Sequence, residues 1–190
     1  MAMLMMMKKG HYVNSDAIEN VIRYVTRTRV NEGRADELIA WGGCGVGCYA
    51  IPELAIEQFR YVQNTYGIQT RGGRKLYHET FNITADEFER LNRDYRVVYQ
   101  IAVKCAEFYF SLGHQVVFAA HYTKNEWTMN KGLHIHFVIN AVNFKTGKKW
   151  HTNFRESVCR ERDFNMIMGQ FMPREELEVP GLEEFNYSSF

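Results

Sequence analysis

The run LHIHFVIN, Leu133 to Asn140, constrains the fold of this chain more than any other stretch. Its side-chain types alternate. Neighbouring side chains of a strand point to opposite faces, so Leu133, Ile135, Phe137 and Ile139 share one face and His134, His136 and Val138 the other. The first face is wholly apolar and has to cover a core. The second holds two imidazoles side by side, turned outward or into a cleft. The preceding apolar run, QVVFAAH, ends in His121, and a polar stretch separates the two runs. They predict a β-hairpin that brings His121 alongside the His-x-His pair.

A lone histidine on a strand is usually structural. Three neutral imidazoles converging from two rigid strands make a metal site with open coordination positions. Nitrogen-only ligation suits a transition metal best, and Mg²⁺ would need substrate oxygens to complete its shell. Open positions can polarise a phosphoryl oxygen or activate a water.

The remaining elements read as follows. Met3 to Met7 is a short apolar strand. Asn14, Ser15 and Asp16 offer helix-start residues with Glu19 three positions on, and AIENVIRYVTR is an amphipathic helix. RVNEGRADELIAWGGCGVGC, with its glycines, reads as a loop. Ile51 to Asn64 is a second helix, and KLYHETFNIT a strand by alternation. One long helix runs from Thr84 to about Leu112, where Gly113 can end it. Gln115 to Ala120 and Leu133 to Val142 are strands, KTGKK is a tight basic turn, and Arg155 to Phe171 is helical. The order β-α-α-β-α-β-β-α predicts an α+β fold. Helices pack on an antiparallel sheet, and the His-x-His motif sits on a central hairpin strand.

The 190 residues suit one domain, and a composition 46% hydrophobic and 24% charged excludes a wholly disordered or collagen-like chain. Net charge is +1 but unevenly spread. From Pro173 onward Arg174 stands against Glu175, Glu176, Glu178, Glu183 and Glu184, a net −4 that leaves +5 on Met1 to Met172. The expected division is a mildly basic domain over residues 1–172 and an acidic C-terminal tail over 173–190. The start MAMLMMMKKG is too short in apolar residues for an export signal or a membrane span. A cytoplasmic, reducing setting without membrane insertion is therefore expected for Cys44, Cys48, Cys105 and Cys159. GCGVGC resembles half a zinc site, but no second cysteine pair follows at that spacing, so it reads as a Gly-rich turn with buried thiols.

In the order of its motifs the chain resembles the relaxase or mobilisation nuclease family. This is the His-hydrophobic-His superfamily of single-strand DNA transesterases used by conjugative and mobilisable elements, on plasmids or integrated. The resemblance runs from about Ile18 to about Phe171. It rests on IRYVTR in an early helix, then GGCGVGC, YHETFNIT, VVFAAH, HIHFVINAVN and KTGKK. The combined HIHFVIN-AVN-x-KTGKK run is the most specific of these; the tyrosine helix alone is not.

The resemblance implies Tyr24 as nucleophile and His121, His134 and His136 as ligands of a divalent metal, Mn or Mg. Taken alone, Tyr24 reads first as a packed tyrosine on an amphipathic helix. Asn140 and Asn143 match positions the family often fills with Asn. The family's Asp two residues after the first histidine is Thr123 here, and thirteen positions separate His121 from His134. Glu126, His78 or Glu79 could supply that support to the ligands. The implied substrate is single-stranded DNA at an origin of transfer, nicked through a 5′-phosphotyrosine link. An accessory DNA-binding protein and a coupling protein are the implied partners. Arg23, Arg27, Arg29, Arg71, Arg74, Lys75, Lys145, Lys148 and Lys149 could hold its phosphates, or could be solvated turns.

Other readings compete. A rolling-circle replication initiator usually places its tyrosine after His-x-His, where only Tyr187 in the acidic tail offers itself. His11 or Tyr12 could replace Tyr24. A cupin-like oxygenase or hydrolase also uses His-x-His, but its all-β barrel conflicts with the long helices. A non-catalytic DNA-binding module with a structural metal is the last alternative.

Overall fold

A computed structural model describes residues 2–6, 12–28, 36–47, 51–67, 72–123 and 132–173. Its strands are β1 (Met3–Met6), β2 (Asp36–Cys44), β3 (Leu76–Ile83), β4 (Val116–Thr123) and β5 (Gly132–Asn140). They form one sheet in the order β1-β3-β5-β4-β2, with every neighbouring pair antiparallel. The His-x-His strand β5 is thus the central strand. Its register sets His134 opposite His121 on β4, and His136 opposite Ala119 on β4 and Thr80 on β3.

The helices are α1 (Ala17–Val25), α2 (Pro52–Thr65), α3 (Ala85–Arg90), α4 (Tyr95–Ser111) and α5 (Phe154–Gly169). Both faces of the sheet are covered. On one, Phe81, Phe118, Ile135, Phe137 and Ile139 pack with Ile101, Cys105 and Tyr109 of α4 and Phe164 of α5. On the other, Leu76, Val117, Ala119 and Val138 pack against Ile18, Ile22 and Val25 of α1 and Ala55 and Phe59 of α2. Each fully buried Ile or Phe contributes about 1.5–3 kcal/mol, so both layers are held firmly. The histidine face of β5 therefore lies under helices, with its polar part at the edge of α1. The fold is α+β, as the mixed order of strands and helices predicts.

Three local expectations are corrected. Residues 36–44 are a strand, not a loop. Glycine in a strand usually weakens it, but at Gly42 an added Cβ would come within 2.6 Å of the Phe118 ring, so the glycine admits an aromatic cross-strand neighbour. The long helix after Thr84 is two helices. Asn92 and Arg93 take left-handed φ values of 55° and 51°, and the Asp94 side chain then caps α4 by accepting from Arg96 N. The capping box forms at Thr84 with Glu87, and not at Asp16, whose carboxylate accepts from Asn20 while Glu19 binds Arg23 and Arg60.

Candidate active site

His121 at the end of β4 and His134 and His136 on β5 offer one ring nitrogen each, all within 4.8 Å of one another. All three rings are buried, at 0%, 7% and 3% exposure. Burial pushes every one of these pKa values down. His121 falls to about 4, with the Arg27 guanidinium adding to the effect. His136 falls well below 6.5, helped by neighbouring imidazoles, and His134 is lowered too. They are neutral at pH 7, the state a metal ligand requires.

Hydrogen-bond partners fix which nitrogens face the centre. His121 Nε2 donates to the Val25 carbonyl at 2.7 Å, and its Nδ1 accepts from Arg27 Nη2 at 2.9 Å. The same Nη2 donates to Asp36 Oδ2, so one cation is shared by the imidazole and a carboxylate. Asp36 Oδ2 lies 3.2 Å from His121 Nδ1 and 3.8 Å from His134 Nε2. His134 Nδ1 and His136 Nε2 are buried with no hydrogen-bond partner. Buried polar atoms without partners are rare and costly. A donor set of neutral nitrogens, two of them orphaned and one already turned to a cation, fits a divalent metal.

Tyr24 lies on α1, beside the apolar stripe that seats the helix on the sheet. Its half-buried ring stands edge-on to His136, with centroids 5.9 Å apart, and 6.3 Å from His78. The Arg27 guanidinium is 5.2 Å from the Tyr24 ring centre. Arg27 and Tyr12 are non-glycine residues with left-handed φ, 57° and 44°. Such backbone costs about 1–3 kcal/mol and tends to cluster at functional sites.

A family model, the relaxase MobA/VirD2-like nuclease domain, matches residues 24–163. The chain belongs to this family. No curated protein and no solved structure gave a significant match. The matched span of this relaxase domain begins at Tyr24 and encloses all three histidines. Membership makes it a member of a DNA-nicking, metal-dependent family, and no described helix is long and apolar enough to cross a membrane. An open five-stranded sheet with helices on both faces excludes the cupin barrel.

The other expected site residues divide. His78 on β3 is 3% exposed and reaches the cluster, its Nε2 2.8 Å from His136 Nδ1. Glu79, the next residue, points to the opposite face and binds Arg160 and Tyr109 instead. Asn140 is buried two pleats beyond His136. It accepts from Gln63 and Val142 N and donates to Phe59 O and Gln115, so it fastens α2 to the sheet and does not support the histidines. Asn143 shapes the KTGKK turn by accepting from Lys145 N and Thr146 N.

Of the cations, Arg27 enters the site, whereas Arg23 is paired with Glu19 and Glu53. Arg74 stacks over Tyr77 at 4.7 Å, and the buried Lys75 donates its backbone N–H to Tyr12 O. Lys149 donates to Gly72 O. Lys145 and Lys148 are exposed on the turn beyond the Asn140 end of β5, away from His134. Arg29, Arg71, Glu126, His11, Cys48, Tyr187 and the acidic segment from Arg174 lie outside the described residues.

Asp36 was missed by sequence reasoning. It sits on β2 beside Leu38, which pairs with His121. The apolar run Leu38 to Trp41 was its signal, masked by the glycines that follow.

Proposed function

We propose that this chain is a metal-dependent relaxase that nicks single-stranded DNA at an origin of transfer, site- and strand-specifically, to start conjugative transfer or mobilisation. The observation that carries this reading is the Tyr24 ring set edge-on to His136 beside three converging neutral histidines. His121 Nδ1, His136 Nε2 and a ring nitrogen of His134 would hold the divalent ion. When bound, the ion would polarise the scissile phosphate and offset the charge that develops on its oxygens.

The protein's own residues do the rest. Tyr24 Oη forms a bond to phosphorus and gives up its proton. The bond from phosphorus to the 3′ oxygen breaks, and that oxygen takes up a proton as a free hydroxyl. One phosphodiester replaces another, so the reverse reaction can rejoin the strand. Burial of the histidines keeps them neutral, and the α1 stripe fixes the direction from which Tyr24 approaches. Arg27, at the boundary between Tyr24 and the cluster, is placed to meet a phosphate. Arg74 and Lys149 are the next candidates to hold the DNA backbone. An accessory DNA-binding protein and a coupling protein complete the expected assembly.

The test is a covalent adduct. The protein is incubated with single-stranded origin DNA and Mn²⁺ or Mg²⁺, with and without chelator, and the adduct is mapped by mass spectrometry. A metal-dependent adduct on Tyr24, lost in Tyr24→Phe and His134→Ala, supports the reading. An adduct on Tyr12 or His11 keeps the family and replaces the nucleophile. Metal and DNA binding without any adduct overturns the catalytic reading.

A further inference from the structure

His136 is the most enclosed candidate ligand whose free nitrogen lacks a partner, and its other nitrogen begins a chain. His136 Nδ1 is 2.8 Å from His78 Nε2, and His78 Nδ1 is 3.3 Å from Tyr12 Oη. His78 is 3% exposed and Tyr12 is half-buried. Tyr12 precedes α1 in a left-handed backbone conformation, and its carbonyl is held by Lys75 N at 2.7 Å. The phenol is thus anchored to the first residues before β3 and aimed at the strand's own histidine.

Two neutral imidazoles joined in this way have two proton arrangements. In one, Tyr12 Oη–H donates to His78 Nδ1 and His78 Nε2–H donates to His136 Nδ1. His136 then carries its proton on Nε2 and has no lone pair for the cluster. In the other, every bond is reversed: His136 Nδ1–H donates to His78 Nε2, His78 Nδ1–H donates to Tyr12 Oη, and the His136 Nε2 lone pair faces His121 and His134. Only the second arrangement can hold a metal. A metal-bound histidine is usually fixed through its other nitrogen by a carboxylate or carbonyl. Here the residue that does so is a histidine, which can act as acceptor only if something beyond it accepts in turn.

We propose that Tyr12 and His78 form a positioning relay that fixes the tautomer and ring orientation of His136, with Tyr12 Oη as the terminal acceptor. This rests on the metal reading above. Both act on the ion through His136, as positioning residues. Arg74, over Tyr77, and Tyr24 are the groups whose charges bear on Tyr12.

The test uses the whole chain and two readouts besides nicking. Mn²⁺ affinity is measured by calorimetric titration for wild type, His78→Leu, His78→Gln and Tyr12→Phe, with thermal unfolding as a check on folding. Nitrogen spectra of ¹⁵N-histidine protein, metal-free and loaded with diamagnetic Zn²⁺, report the tautomers directly. His78→Leu is expected to bind Mn²⁺ roughly 10- to 100-fold more weakly. His78→Gln, whose amide oxygen can accept from His136 Nδ1–H, recovers most of that loss, and Tyr12→Phe loses less than His78→Leu. In the loaded wild type both His136 and His78 carry their protons on Nδ1. A loaded His136 protonated on Nε2 would overturn the relay. So would a folded His78→Leu that binds Mn²⁺ as wild type does. Wild-type protein that binds neither ion removes the metal reading itself, and so marks that failure apart from failure of the relay alone.

Discussion

His78 and Glu79 are neighbours on β3, both buried, and they serve opposite faces of the same sheet. Glu79 enters a closed cluster. Arg160 Nη2 and Nε donate to its carboxylate at 2.6 and 3.0 Å, and Tyr109 Oη donates at 2.6 Å. Each charge has its counter-charge, and Arg160 also lies over the Trp150 ring at 4.9 Å. His78 enters an open cluster, in which two ring nitrogens are left without partners and an arginine is borrowed to satisfy a third. A buried polar group without a partner costs about 1–3 kcal/mol. Structural polar clusters close; a cluster that stays open in a firm core is prepared for something that comes from outside. That contrast, more than the presence of histidines, separates the site from the scaffold.

The largest test of the contrast is Tyr24→Phe. It removes one oxygen from the open side. Adduct formation should fall by a factor on the order of 10⁴ or more, as expected for loss of a nucleophile, with stability changed by less than about 1 kcal/mol. Quantitative gel assays and calorimetry check the two halves. Retained adduct would move the chemistry to another residue.

Arg160→Met should do the reverse. It strands Glu79 in the apolar face and should cost about 3–5 kcal/mol of stability, while Mn²⁺ affinity, measured on protein that remains folded, stays near wild type. The double change Glu79→Gln with Arg160→Met should recover part of the loss, because the uncompensated charge is gone. A fall in metal affinity with unchanged stability would mean that the two faces are not separate.

Acid should act on the open cluster first. Burial holds the folded pKa of His78 at about 3 and of His121 at about 4, against 6.5 for the free side chain. The unfolded chain therefore takes up protons first as the pH falls. The stability these neutral histidines contribute is present above about pH 6.5 and is lost as the pH falls toward 4. Melting temperature in chelator should be flat above pH 7 and decline between these limits, and His78→Leu should make the decline shallower. A melting temperature unchanged from pH 7 to pH 4.5 would mean that the rings are not held neutral by burial.

Much of this was legible in the sequence, for identifiable reasons. The alternation of LHIHFVIN assigns faces with no knowledge of neighbours, and β5 shows it. The stripe Ala17, Ile18, Val21, Ile22 and Val25 gives α1, since helical periodicity is a local property. His78 was named together with Glu79 as possible support, and of the two only His78 has the parity that carries it to His136. Glu79 was grouped with it by proximity in sequence, although alternation sends it to the other face. Asn140 has the histidines' parity but not their depth along the strand, which only the register shows. The break at Asn92 and Arg93 depends on two left-handed residues that no periodicity marks. β2 was hidden because Gly42 is justified only by a ring from another strand, and with β2 went Asp36.

Asp36 therefore offers the finest division between the two kinds of cluster. Its ion pair with Arg27 looks structural, yet its oxygen lies 3.2 Å from a candidate ligand. If it only neutralises Arg27, Asp36→Asn weakens the join between β2 and the end of α1 and leaves metal binding near wild type. If it bears on the site, the loss falls on the metal: Asp36 Oδ2 stands beside His121 Nδ1, the nitrogen turned to the ion, and loss of a carboxylate next to metal ligands typically costs 10- to 100-fold in affinity. Both side chains are under a fifth exposed, so the pair is desolvated enough for its removal to register in either measurement. We expect Mn²⁺ affinity to drop about tenfold, the lower end of that range, since Arg27 can no longer be drawn off by a carboxylate and competes with the ion for His121 Nδ1. Adding Arg27→Gln should then return part of the affinity. An affinity unchanged by Asp36→Asn, with a lowered melting temperature, would place Asp36 with Glu79 among the closed clusters.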